Sequence, residues 1–193
     1  MDIKKFIPTT GLQLSPIEVK QSYLSEWNES CKDFYHLTKD GELIDNYLYR
    51  IGGYRYSKIR PNNPIKDEYF LLLRHIEATY SDEFLISVYP EYSSSEIKKK
   101  KKHLEEVCCI FDKNGVEKKV FKQFDSPYLL EDSCIYSLHN KYYNIETGEH
   151  YGSTTSRMIS KEFLFLDNTY GNDEEKKGIM KINKKTGIWE VFK

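Results

Sequence analysis

The chain has 193 residues, with 29 Lys+Arg against 30 Asp+Glu and a formal net charge of -1. That length closes a real core in one sizeable domain or two small ones, and the balanced charge argues against a general nucleic-acid binder, which needs a basic excess to neutralise phosphates. Aromatic residues make up 15% of the chain, with 16 Tyr and 10 Phe, which is more apolar surface than a chain that stays unfolded carries.

The first twenty residues lack an apolar h-region, and the longest apolar stretch, about 69–73, is of strand length, so neither a leader nor a membrane span is expected. The first predicted element is a helix over 16–29. Ser15-Pro16-Ile17-Glu18 reads as a capping box with proline at the first helical position, and Val19, Tyr23, Leu24 and Trp27 follow at helical spacing. A β-hairpin over 33–48 turns at Lys39-Asp40-Gly41. Arg60-Pro61-Asn62-Asn63-Pro64 reads as a loop, because each proline removes a donor and biases its predecessor away from helix. The chain is read as one domain, 1–193; if it divides, the loop separates a helix plus hairpin (1–60) from repeated hairpins (65–193).

A turn without glycine is expected at Ala78-Thr79-Tyr80-Ser81-Asp82. The stretch 95–107 is helix-permissive but nearly all polar, a helix or a connector. Three further hairpins follow, over 107–121 turning at Lys113-Asn114-Gly115, over 142–151 at Thr147-Gly148, and over 179–192 at Thr186-Gly187. Each places glycine where the turn needs a positive φ. From Gly41 to Gly115 is 74 residues, from Gly115 to Gly148 is 33, and from Gly148 to Gly187 is 39. Taking the first interval as two units suggests a repeat of about 37 residues.

Residues 182–189, with Thr186-Gly187 and Trp189, and residues 144–151, with Thr147-Gly148, carry a short resemblance to the Thr-Gly hairpins of quinoprotein-type β-propeller blades. The resemblance covers about the last 60 residues and implies shape alone, with no cofactor-binding residues carried over. The fold class expected is therefore mainly β, an antiparallel meander of repeated hairpins with one N-terminal helix. A propeller is one closed form of it, and an open sandwich or an α+β arrangement is the alternative.

Chemistry-bearing residues are sparse in pattern. His36, His75, His103, His139 and His150 form no zinc spacing; His139 and His150 flank one hairpin. Cys31, Cys108, Cys109 and Cys134 read as reduced thiols of a cytoplasmic protein, since the adjacent pair would point to opposite faces of a strand. Ser93-Ser94-Ser95 sits beside lysines and outside any nucleophile motif, and Gly52-Gly53 precedes strand-like residues and is no phosphate loop. Asp167 and Glu190 would serve a paired-carboxylate hydrolase only if they faced one cleft. No catalytic set, metal site or cofactor is expected. The charge features are Lys98, Lys99, Lys100, Lys101 and Lys102, flanked by Glu96, Glu105 and Glu106, and an acidic hairpin tip of Asp173, Glu174 and Glu175. By elimination, the sequence favours a protein-binding module of bacterial or phage character, an immunity- or antitoxin-like protein blocking a partner. A hydrolase on a β scaffold and a nucleic-acid accessory protein using the lysine run are the alternatives.

Overall fold

The structure is a computed structural model that describes residues 11–17, 34–51, 59–79, 102–122 and 125–193. Regular structure in these segments is entirely β, in three antiparallel sheets, and among the described residues there is no helix. The first sheet holds β1 (Leu12–Ile17), β2 (Phe34–Lys39), β3 (Glu42–Leu43), β4 (Leu48–Arg50), β5 (Tyr69–Thr79), β6 (Lys102–Asp112) and β7 (Glu117–Phe121). Its order is β1-β2-β4-β5-β6-β7, with β3 hooked onto β2. The second is a four-stranded meander of β8 (Tyr128–Leu129), β9 (Ile135–Leu138), β10 (Lys141–Asn144) and β11 (His150–Ser153). The third repeats that plan with β12 (Arg157–Ile159), β13 (Phe163–Asp167), β14 (Ile179–Asn183) and β15 (Trp189–Phe192).

The helix expected from Pro16 onward does not start there. Ser15, Pro16 and Ile17 pair with His36, Tyr35 and Phe34, while 18–29 lie outside the described residues. The deciding signal is a period of two: Leu12 and Leu14 are fully buried, and the alternating Gln13 and Ser15 are on the other side. Proline is tolerated because β1 ends the strand order, where a missing N–H breaks no interior ladder. The 59–67 loop covers that edge, donating from Asn62 N–H to the Leu14 carbonyl and from Ile65 N–H to the Leu12 carbonyl. Lys102 to Val107, read as helix-permissive, are strand, because pairing with β5 overrides local propensity; 95–101 lie outside the described residues. The turn expected at 78–82 does not begin at Ala78, since Ala78 and Thr79 still pair with His103 and Lys102.

All four turn glycines have positive φ, but they serve three different turns, so the 37-residue spacing is no uniform structural repeat. Asp40 and Gly41, with φ of 52° and 89°, form a two-residue hairpin loop between Lys39 and Glu42. Gly115 lies in the longer 113–116 connection, where its N–H donates to the Asp112 carbonyl, beside a register shift between Ile110 and Phe111. Gly148 and Gly187 alone match. In each, the glycine N–H donates to the carbonyl of an asparagine four residues back, Asn144 or Asn183. Each asparagine Oδ1 also accepts the next two-and-three-on N–H groups: Glu146 and Thr147, or Lys185 and Thr186.

Three apolar clusters hold the sheets. One face of the first sheet buries Leu12, Leu14, Leu37, Tyr49, Phe70, Leu72, Cys109 and Phe111. Its other face, with Leu71, Cys108 and Ile110, packs Tyr136 and Ile145 of the second sheet. The second and third sheets share Ile135, Tyr142, Tyr151, Leu164, Leu166, Met180 and Ile182. Cys108 and Cys109 thus occupy opposite faces, as their adjacency in a strand requires.

The two matched glycines separate backbone strain from crowding. A Cβ at Gly187 would overlap Asn144 Nδ2 and the Tyr151 hydroxyl, whereas at Gly148 the nearest group is Lys119 Nζ at 4.0 Å. Gly148→Ala should cost about 1–2 kcal/mol from the left-handed backbone alone. Gly187→Ala should cost a further 1–3 kcal/mol, roughly, for overpacking, as denaturant unfolding of the two variants measures.

Candidate functional site

The residues singled out for charge fall in different places. Lys98, Lys99, Lys100 and Lys101 lie outside the described residues, and Lys102 opens β6 opposite Thr79. Asp173, Glu174 and Glu175 are exposed in the β13–β14 connection, and the loop uses part of their charge. Asp173 Oδ1 accepts the Glu175 N–H, and Glu174 pairs with Lys177 at 3.1 Å.

Asp167 and Glu190 do share the outward face of the third sheet, but each is already engaged. Asp167 Oδ1 accepts from Thr169 Oγ1 at 2.6 Å and from the Thr169 N–H at 3.1 Å, and these bonds hold its carboxyl below the usual carboxylate value. Glu190 pairs with Lys181 at 2.7 Å. A general acid needs a raised pKa, the reverse of what Thr169 does to Asp167. The two hairpin histidines also part company. His139 faces Asp125 at 3.6 Å, whereas His150 bonds Ser153 Oγ at 3.2 Å and tilts against the Tyr143 ring. Among the described residues, no group of three His, Cys, Asp or Glu is placed to hold a metal ion.

Cys108, Cys109 and Cys134 are buried and form no disulfide. Burial pushes the Cys109 thiol up to about 12, against an opposing pull from Arg74, and raises Cys134 as well. Such thiols are core residues, not nucleophiles.

Three features escaped the sequence reading. The first is a polar chain joining the second and third sheets. Asn144 Nδ2 donates to the Tyr151 hydroxyl at 2.9 Å, which donates to the Gly187 carbonyl at 3.0 Å. Alongside, Glu149 accepts from Trp189 Nε1 at 2.9 Å and pairs with Lys176 at 3.0 Å. Trp189 and the Asn-Thr-Gly spacing were visible as hairpin chemistry, but nothing local announces that they meet across sheets. The second is Arg74 on β5, whose guanidinium pairs with Glu117 and lies 4.5 Å over the Tyr47 ring. Close by, Tyr49 donates its hydroxyl to Asp45 at 2.7 Å, and burial with that carboxylate raises its pKa.

The third is the outward face of the third sheet. Strand register puts Met158, Phe165, Lys181 and Glu190 in one row and Asp167, Ile179 and Phe192 in the next. Met158 is 61% exposed, Ile179 40% and Phe192 52%, while Lys181 Nζ sits 4.5 Å over Phe163. Strand alternation alone would predict this face to be polar, so its apolar content is the unusual observation. Compared with known proteins, the chain matches no family model, no curated protein and no solved structure.

Two measurements check this chemistry. With thiol reagents at pH 8, Cys108, Cys109 and Cys134 should stay unmodified in the folded chain and react only on unfolding, as peptide mass spectrometry reads. Burial, then Lys176 and Lys141, lower the His150 pKa, opposed by the Gly152 backbone and Asp173. Its contribution to stability is therefore complete above the unfolded-state value of about 6.5 and is lost as pH falls through the lower folded value. Lys176→Met should raise the His150 midpoint in an NMR titration.

Proposed function

We propose that the chain is a non-catalytic protein-binding module that acts by covering a partner's surface, in the manner of an immunity or antitoxin protein. The observation carrying this reading is the outward face of the third sheet, where Met158, Phe163, Phe165, Ile179 and Phe192 surround the Lys181–Glu190 pair. Aromatic and aliphatic anchors inside a charged rim are the anatomy of a protein interface. The rim is acidic at one end, because Asp167 closes β13 there and the connection bearing Asp173, Glu174 and Glu175 leaves from it. The complementary partner is a protein surface with apolar anchors flanked by basic side chains.

The hydrolase reading is weaker because Asp167 is held ionised by Thr169 and Glu190 is spent on Lys181. For the two C-terminal sheets we favour successive propeller-type blades. The matched four-stranded meanders and the identical turn bonding of Asn144 and Asn183 support that arrangement. A reducing, cytoplasmic setting fits three buried cysteines outside any disulfide, two of them on opposite faces of one strand, and no helix among the described residues is long and apolar enough to cross a membrane.

Co-purification from the native host should yield a stoichiometric protein partner. Phe192→Glu and Met158→Glu, both at exposed positions, should weaken its binding at least about tenfold with little change in thermal midpoint. Absence of a protein partner, or one indifferent to both substitutions, would overturn the reading. Self-association abolished by the same substitutions, seen by analytical ultracentrifugation, would replace the foreign partner with a second copy.

A further inference from the structure

A strand at a sheet edge turns every second N–H and C=O outward, and a fold must cover or blunt that row. The first two sheets do so. On β1 the Leu12 and Leu14 carbonyls accept from the Ile65 and Asn62 N–H groups of the 59–67 loop. On β11 the His150 carbonyl accepts from Lys176 Nζ and the Tyr151 carbonyl from Asn168 Nδ2. β7 carries Lys118 and Lys119, and β8 is only two residues long.

β15 ends the third sheet and has no such device among the described residues. The bond from the Asn183 N–H to the Ile188 carbonyl fixes the ladder, so Lys181 with Glu190 and Ile179 with Phe192 are the bonded pairs of β14 and β15. Trp189 and Val191 therefore turn their N–H and C=O groups away from β14, and no described group bonds them. Residues 188–192 read Ile-Trp-Glu-Val-Phe, without the lysine or proline that blunts other edges. Trp189 and Val191 pack their side chains on the joint with the second sheet, while Ile188 is 72% and Phe192 52% exposed on the outward side.

The outward row decides what such an edge accepts. An added strand sets alternate side chains beside Ile188, Glu190 and Phe192. Glu190 meets Lys181 on the β14 side, yet its side chain stays 56% exposed, so its other flank is open to a second cation. A second copy of the chain fits this edge poorly. With Trp189 and Val191 of two copies bonded to each other, Glu190 falls opposite Glu190, and like charges so placed destabilise the pair. β12, at the other end of the sheet, presents Met158 on that face and no cation.

We infer that β15 accepts an added strand from a partner protein, an extended segment with a Lys or Arg and an apolar residue two positions to either side of it. The inference rests on the protein-binding reading and names how that partner is held. The added strand is antiparallel, the pairing used throughout the sheet. Backbone bonds to Trp189 and Val191 supply affinity, and side chains beside Ile188, Glu190 and Phe192 supply selectivity.

The probe is the peptide acetyl-Thr-Val-Thr-Lys-Thr-Val-Thr-amide, titrated to millimolar concentration into the ¹⁵N-labelled full chain. It should give saturable NMR shifts at the Trp189 and Val191 N–H groups and slow their exchange with solvent. The Glu190 N–H, already bonded to Lys181, should keep its exchange rate. The same peptide N-methylated at the two threonines flanking lysine, or with Glu in place of Lys, should bind at least about tenfold more weakly. Glu190→Lys should reverse the preference between the Lys and Glu peptides. Met158→Glu, on the far edge of the sheet, should leave peptide affinity unchanged while weakening the co-purified partner, so the two readings fail separately. Three outcomes overturn the inference: no saturable shift at Trp189 and Val191, equal affinity for the N-methylated peptide, or the same shifts on concentrating the chain alone, the mark of a second copy.

Discussion

Residues 70–72 of β5 and 107–111 of β6 are buried on both faces of their sheet, and the rest of the molecule is arranged around that constraint. Eleven residue pairs run from Tyr69 opposite Asp112 to Thr79 opposite Lys102. Phe70, Leu72, Cys109 and Phe111 point to one side, and Leu71, Cys108 and Ile110 to the other. A strand pair apolar on both sides cannot end a sandwich, because each face needs its own cover. The N-terminal strands cover one face and the second sheet covers the other. Each such side chain fully buried contributes about 1.5–3 kcal/mol, so the hairpin is the largest single source of apolar burial in the described chain.

From that wall the structure extends by a second kind of joint. Tyr136 stacks on Tyr143 and meets Phe121 edge-on, tying the second sheet to β7. The third sheet then attaches through apolar rows plus the Asn144–Tyr151–Gly187 chain, whose polar atoms are all engaged. Asn144 does two tasks with one side chain: its oxygen holds its own turn, and its nitrogen reaches Tyr151. A satisfied buried network of this kind specifies how the sheets meet more sharply than apolar packing alone does.

The consequence is a division of labour between faces. Leu164, Leu166, Met180 and Ile182 fill the joint, so Phe163, Phe165 and Ile179 must face outward on the same strands, and Phe192, opposite Ile179, faces outward with them. The long β13–β14 connection carries the acidic residues and Tyr170 at its exposed middle. Surfaces suited to binding therefore collect at the C-terminal sheet, which buries one face and leaves the other unpaired.

Local chemistry alone decided the turns. Asp40, Gly41, Gly115, Gly148 and Gly187 sit at positive φ because few other residues tolerate that backbone, and this holds whatever surrounds them. The apolar runs at 69–73 and 107–111 likewise declared strands, and the adjacency of Cys108 and Cys109 declared their opposite faces. The Ser15-Pro16 cap misled because a capping pattern is a weak local preference, and burial of Leu12 and Leu14 against β2 outweighs it. The recurrence of turn glycines at about 37 residues misled because spacing along the chain does not say which strands share a sheet: Gly41 and Gly115 turn within one. Only the tertiary structure could bring Trp189 to Glu149 and leave the outer face of the third sheet bare. Those arrangements depend on which faces cover one another, and that is settled by long-range burial among distant strands, a quantity no local window contains.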